Sequence, residues 1–291
     1  MKPPNFGAME EKSRFFSQTP AWLVTKHGKY ETIASALNGV HGLEIKLAPE
    51  IDTDVLGTFS GEIERLDSPL ETARKKALLA AQRLDAQLVL ASEGSFGPHP
   101  SAFFLPADME LLILVDVKRQ LEWTAEVVST KTNFDRVRVR TVRELLDFAR
   151  RVMFPSHALI VHNGDGQGGI VKGITEESKL LDCFRLAAAA NGNGVDVETD
   201  MRAHFNPSRM SVISEAAHKL AQKLSISCSV CECPGFAPVK HHSGLPCSWC
   251  GTPTRLPFLS TWACQLCSYH EDRPFGETEK ADPGQCDVCN P

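Results

Sequence analysis

Apolar and polar positions along this chain come in short blocks whose period keeps changing. Ala21–Thr25 is an apolar run of strand length, and Lys26-His27-Gly28-Lys29 turns out of it. Tyr30–Leu37 then takes helical spacing through Ile33, Ala34 and Leu37, stopped by Asn38-Gly39, and Gly42–Ala48 alternates as a strand. Ser68-Pro69-Leu70-Glu71 opens a helix reaching Leu84: Ser68 is the N-cap, Pro69 suits the first turn, and Glu71 completes a capping box. Gln87–Ala91 reads as a buried strand ending in the loop Ser92–Pro100, and Met109–Val117 and Leu121–Val128 as two adjacent strands. Thr141 and Glu144 cap a helix to Val152. A strand at His157–His162, a helix at Glu176–Ala190 and a strand at Gly194–Thr199 follow. Pro207–Leu224 is a helix with Met210, Ile213, Ala217, Leu220 and Leu224 on one face. Strands alternating with helices predict an α/β core.

The chain's 291 residues suffice for two domains with their own cores. A net charge of −5 supplies no basic field for nucleic acid or an anionic membrane. No apolar run has the length of a membrane span, and the first residues lack the apolar centre of a secretory signal, so 1–19 read as a flexible leader. These features place the chain in the cytoplasm, where closely spaced cysteines hold metal rather than form disulfides.

Eight of the ten cysteines form four Cys-x-x-Cys pairs: Cys228/Cys231, Cys247/Cys250, Cys264/Cys267 and Cys286/Cys289. Two thiolates in one tight turn grip half of a tetrahedral site, so four pairs predict two structural zinc ions. The organisation expected is therefore a leader over 1–19, an α/β domain over 20–227 and a zinc-ribbon tail over 228–291. Cys264-x-x-Cys267 with Cys286-x-x-Cys289 resembles a rubredoxin-type knuckle pair. That resemblance implies sequential pairing, 228/231 with 247/250 and 264/267 with 286/289; an interleaved cross-brace is the alternative, and Cys233 is an alternate for Cys231. Residues 228–291 hold four Lys/Arg and seven Asp/Glu, and each four-thiolate zinc site adds a formal charge of −2. Such a tail repels phosphate backbones, which disfavours nucleic acid as a partner relative to a stabilising lid, a homodimer contact or a protein-docking module. Trp249, Phe258, Trp262 and Phe275 are read as its small core, and Cys183, in an apolar helical stretch, as a buried thiol.

Function is sought in polar loops at strand ends, where open α/β folds bind ligands. Thr25, Lys26, His27 and Lys29 precede a helix, an arrangement suited to an anion. Asp52, Asp54, Glu62 and Glu64 lie in a segment interleaved with Val55, Leu56, Phe59 and Ile63; carboxylates that must partly pack need partners, such as magnesium. Glu93, Ser95 and His99 occupy a loop stiffened by glycines and prolines. Arg202, His204 and Arg209 stand between a strand and a long helix and suit a phosphate or carboxylate.

The order of these segments resembles the inosine triphosphate pyrophosphatase superfamily, over residues 21–130 and 205–224. The segments that carry the likeness are T-K-H-G-K at the end of a strand, an acidic G-T-F-x-G-E loop, S-P-L-E-T-A-R-K-K-A on a helix, and a strand ending in A-S-E-G-S. The resemblance implies a mixed-sheet core and magnesium-dependent hydrolysis of nucleoside triphosphates. Thr25, Lys26 and Lys29 would be phosphate contacts, Glu62 or Glu64 with Glu93 metal ligands, Lys75 or Lys76 a residue of the Lys-Ala helix, and Arg209 the helix-opening arginine. Asp54 joins the acidic set, and a non-catalytic nucleotide or anion sensor is the alternative. The whole chain also resembles a bacterial family catalogued only as a domain of unknown function.

Overall fold

A computed structural model describes residues 15–17, 19–26, 28–49, 68–162, 169–190 and 194–291. His27, Asp54, Glu62 and Glu64, with most of the expected leader, lie outside the described residues.

The first unit is a five-stranded mixed sheet. β1 (Ala21–Val24) pairs in parallel with β2 (Ile45–Leu47) on one side and β3 (Leu88–His99) on the other. β3, β4 (Ala102–Asp116) and β5 (Leu121–Ser129) form an antiparallel meander, giving the order β2-β1-β3-β4-β5. Helix α2 (Pro69–Leu84) covers one face. Its capping box forms as the sequence requires, with Glu71 N donating to Ser68 Oγ and Ser68 N to Glu71 Oε2. The buried side of α2 is Ala73, Ala77, Ala80 and Ala81, small enough to lie against Val89, Ala91 and Ile113. The other face is covered by α1 (Tyr30–Leu37) and α5 (Pro207–Leu224), which pack Ile33, Leu37, Ile213 and Leu220 on Leu23, Leu90, Leu112 and Leu114. This sheet is buried on both faces, which is why β3 and β4 carry continuous apolar runs.

β3 departs from expectation. It does not end at Ala91 in a rigid loop but runs on to His99, because Ser92–Phe96 find ladder partners at Asp108–Leu112 of β4. The glycines and prolines sit inside a long hairpin, with Pro98 opposite Pro106 beyond the reach of β1 and β5.

Between β5 and α5 the chain builds a second unit. Strands β6 (Arg136–Val139), β7 (Leu159–His162), β8 (Ile170–Ile174) and β9 (Val195–Thr199) form an all-antiparallel sheet in the order β6-β9-β7-β8. Helices α3 (Val142–Arg151) and α4 (Glu177–Ala190) bury Leu145, Phe148, Leu180 and Phe184 against it. Cys183 is half-buried against this core. β6 escapes the apolar pattern because arginines alternate in it; Arg136 reaches across to Asp196 and Glu198 of β9. A buried amide pair ties the outgoing and returning chain together, Asn206 Nδ2 donating to Asn133 Oδ1 at 2.8 Å. Asn206 is also the N-cap of α5.

The tail is a three-stranded antiparallel sheet, β10 (Ala237–Ser243), β11 (Pro257–Ala263) and β12 (His270–Pro274). Its near end joins the first core: Cys228, Cys233, Phe236 and Cys264 share a cluster with Trp123, whose Nε1 donates to Pro234 O at 2.8 Å. A Cβ at Gly235 would meet Trp123 Cδ1 at 2.3 Å, so that approach requires glycine. Phe16, inside the expected leader, is buried edge-on to Trp123 with ring centroids 5.4 Å apart.

The tail's aromatic core is not the one expected. Trp249 is 79% exposed, and Phe258 and Phe275 are exposed too; only Trp262 packs inward, against Phe236. Its cysteine turns could hold metal, and a tail braced that way needs little apolar core.

Candidate functional site

Two constellations carry chemistry. The first is a buried cluster of ionisable side chains at the carboxyl end of β1. Because β1 stops at Val24 while β3 continues, Ser92–Phe96 have no β1 neighbour, and the residues around them fill that space. Lys29, N-cap of α1, makes no capping bond with its side chain; its ammonium lies 3.3 Å from Ser92 Oγ and 3.8 Å from Glu110 Oε2. Arg209, in the first turn of α5, donates from Nε to Glu110 Oε1 at 2.6 Å and from Nη1 to the Met201 carbonyl, with its guanidinium 5.0 Å from the Phe96 ring centre. Gly94 stands opposite Glu110 on β3, and a Cβ there would meet Arg209 Nη2 and Glu110 Oε1 at 2.4 Å. That position is glycine because the ion pair passes across it. On the sheet's other face, Lys76 of α2 reaches Glu93 Oε2 at 2.5 Å.

The last member, Asp108, is fully buried two residues before Glu110 and therefore on the same face of β4. Neither of its carboxylate oxygens has a hydrogen-bond partner among the described residues. Burial, reinforced by Glu110, pushes its carboxyl up to about 8, although Arg209 and Lys29 oppose the shift. Burial also lowers Lys29 to about 8, against the pull of Glu110. The cluster thus brings three basic side chains, Lys29, Lys76 and Arg209, together with three carboxyls, Glu93, Asp108 and Glu110.

The other residues singled out in the sequence fall elsewhere. Thr25 and Lys26 follow β1 and are half-buried, the Thr25 hydroxyl donating to Lys26 O. Ser95 shares the Glu93 face of β3. His99 sits at the hairpin end, where Nδ1 accepts from the amides of Ser101 and Ala102 and shapes the turn. Arg202 is held by Asp200 through Nε and Nη2, with its guanidinium 4.6 Å from the Phe205 ring centre. Sequence reasoning missed Asp108 and Glu110. The signal was two carboxylates at alternate positions in the otherwise apolar run Ala107–Val115.

The second constellation is the cysteines, and it corrects the pairing. Cys228, Cys231, Cys264 and Cys267 form one tetrad and Cys247, Cys250, Cys286 and Cys289 the other, the sulfurs of each lying within 4.8 Å of one another. The arrangement is interleaved, not sequential. β10, β11 and β12 each carry the chain from one end of the small sheet to the other, so successive knuckles alternate ends. Sulfur pairs stand 3.5–3.8 Å apart. A tetrahedron with metal–sulfur bonds of about 2.3 Å has edges of about 3.8 Å, so both tetrads fit zinc. Amides of Val230, Trp249 and Leu266 point at the first sulfur of their own knuckles. Cys233 stays outside both tetrads, buried in the first core.

The cysteine tetrads and the cluster from Lys76 onward lie in one matched stretch: the family described as Domain of unknown function (DUF6671) matches residues 76–291. The chain belongs to that family. The DUF6671 match takes in Lys76, Glu93, Asp108, Glu110, Arg209 and all eight knuckle cysteines, and leaves out Lys29. Comparison with curated proteins found no match. Among the described residues no helix is long and apolar enough to cross a membrane.

Proposed function

We propose that the α/β unit binds a phosphorylated small molecule at the end of β1 and hydrolyses it with magnesium, a nucleoside triphosphate being the first substrate class to try. The observation that carries this reading is the burial of two basic side chains, Lys29 and Arg209, at the starts of α1 and α5. Helix N-termini and buried cations both favour an anion.

In this reading Lys29 and Arg209 hold phosphoryl oxygens, and Lys76 positions the Glu93 carboxylate. Glu93 is the described residue suited to magnesium, which usually takes one or two protein carboxylates and fills its other positions with water and phosphate. Its partners would be Asp54, Glu62 or Glu64. Magnesium, when bound, polarises a phosphoryl oxygen and activates water. The two tetrads serve as structural zinc sites.

The test is incubation of zinc-loaded protein with magnesium and a panel of canonical and modified nucleoside triphosphates. Pyrophosphate release that disappears in Glu93→Gln is the expected result. A second reading, a non-catalytic anion sensor, is favoured by the Lys76–Glu93 and Arg209–Glu110 pairs, in which each carboxylate already contacts a basic side chain. Triphosphate binding without turnover, weakened but not abolished in Glu93→Gln, would select it.

A further inference from the structure

Asp108 is the one member of the cluster for which the pairs described above provide no role. Its neighbours are defined. Glu110 shares its face of β4, Arg209 approaches from α5 and Lys29 from the N-cap of α1. Phe96 stands opposite it on β3 and Ser129 opposite it on β5. The two carboxyls of β4 are unequal. Glu110 has a guanidinium at 2.6 Å and an ammonium at 3.8 Å. Asp108 has neither, and two adjacent buried carboxylates do not both ionise readily.

We propose that Asp108 enters ligand binding as the neutral acid, donating its proton to an oxygen of a phosphate monoester held by Lys29 and Arg209. An ionised carboxyl offers only acceptors and would repel such an oxygen, whereas the neutral acid offers the donor that a phosphate oxygen takes. A buried carboxyl with neither oxygen partnered among the described residues is costly, and a ligand oxygen satisfies it. No bond is made or broken in this step. Where Asp108 is ionised before binding, the site takes up one proton from solvent as the anion enters. The inference rests on the anion-site reading above and adds its proton chemistry: occupancy falls as pH rises through the range where Asp108 ionises.

The test is calorimetric titration of the zinc-loaded, full-length chain with methyl phosphate. Magnesium is left out, and buffers of different ionisation heat give the protons taken up. At pH 9 methyl phosphate is a dianion, its second pKa being about 6. Wild type should take up protons on binding, and Asp108→Asn about one fewer. Between pH 7 and pH 9 the variant should lose about a tenfold share of the wild-type fall in affinity. The fall that remains belongs to Lys29, so Lys29→Arg, which stays charged, should retain the uptake due to Asp108. Binding with the same uptake and slope in wild type and Asp108→Asn overturns the proposal and leaves the anion site standing. No methyl phosphate binding at pH 7 overturns both. If Asp108→Asn does not fold, Lys29→Arg decides: binding without proton uptake overturns the proposal.

Discussion

The tail and the charged cluster both bring reactive side chains together, but they are assembled in opposite ways. Each half-site in the tail is four residues long and closes on itself. The residue after the second cysteine donates its amide to the carbonyl of the first, in Glu232, Gly251 and Asn290 alike. The cluster takes Lys29 from the start of α1, Lys76 from α2, Ser92 and Glu93 from β3, Asp108 and Glu110 from β4, and Arg209 from α5. Its central pair, Arg209 with Glu110, spans 99 residues. A site built from local turns is written in spacing. A site built from sheet topology is written nowhere in the sequence until the strands are paired.

The sharpest way to break the comparison is to attack the tetrads across the two candidate pairings. Cys228→Ala/Cys267→Ala removes two ligands from one interleaved tetrad, so native mass spectrometry should find one zinc per chain. Sequential pairing would cost both sites a ligand and leave none. Structural zinc contributes on the order of 10 kcal/mol per site. The inner tetrad shares its core with Trp123, so this variant should lower the unfolding temperature of the α/β unit too. Cys286→Ala, in the outer tetrad, should lose one zinc with a smaller fall.

This contrast also explains what could be read from the chain. Helices α1 and α5 were legible to the residue, and α2 by its Ser68/Glu71 box, because caps and periodicity are local. Eight cysteines in two groups that could hold metal were legible from spacing. The pairing was not, because it depends on each intervening segment being one strand that crosses the sheet. Lys29, Glu93 and Arg209 were legible as polar groups at element ends. Asp108 and Glu110 were not, because a strand reading counts their apolar neighbours, and β3 was cut short because Gly94 looks like a turn until its opposite partner is known.

Within the cluster, the ion pair is the stronger lever. Arg209→Met should leave Glu110 buried without its guanidinium and cost about 3–5 kcal/mol in urea unfolding. Adding Glu110→Gln should recover most of that loss, since the penalty lies in the uncompensated charge. Additive losses in the double variant would mean that the residues do not act as a pair.

The next effect reverses sign. Asp108 is raised from 3.8 to about 8 in the folded chain, so its contribution to stability is full below its unfolded pKa and is lost as pH rises from about 4 to about 8. Lys29 is lowered from 10.5 to about 8, so its contribution is present above its unfolded pKa and is lost as pH falls from about 10.5 to about 8. Together they place a stability minimum near pH 8. Asp108→Asn should stabilise the protein at pH 7, on the order of 2–4 kcal/mol, and flatten the slope between pH 4 and 8. Urea unfolding across that range checks it; a variant that is no more stable at pH 7 and keeps the slope would place the titrating group elsewhere.

The smallest effect sharpens the comparison from the tail's side. If the knuckles rather than an apolar core hold the outer tail, its most conspicuous aromatic residue should be dispensable to folding. Trp249 lies between Cys247 and Cys250 with 79% of its surface exposed. Trp249→Ser should therefore change stability by no more than about 0.5 kcal/mol and leave two zinc ions per chain. Trp262 is the control. It packs on Phe236 with ring centroids 5.9 Å apart and lies under the Arg273 guanidinium at 4.5 Å, so Trp262→Ser should cost about 2–3 kcal/mol. Equal losses in the two variants would show that the outer tail relies on aromatic packing after all, and the division between a metal-held tail and a packed core would have to be redrawn.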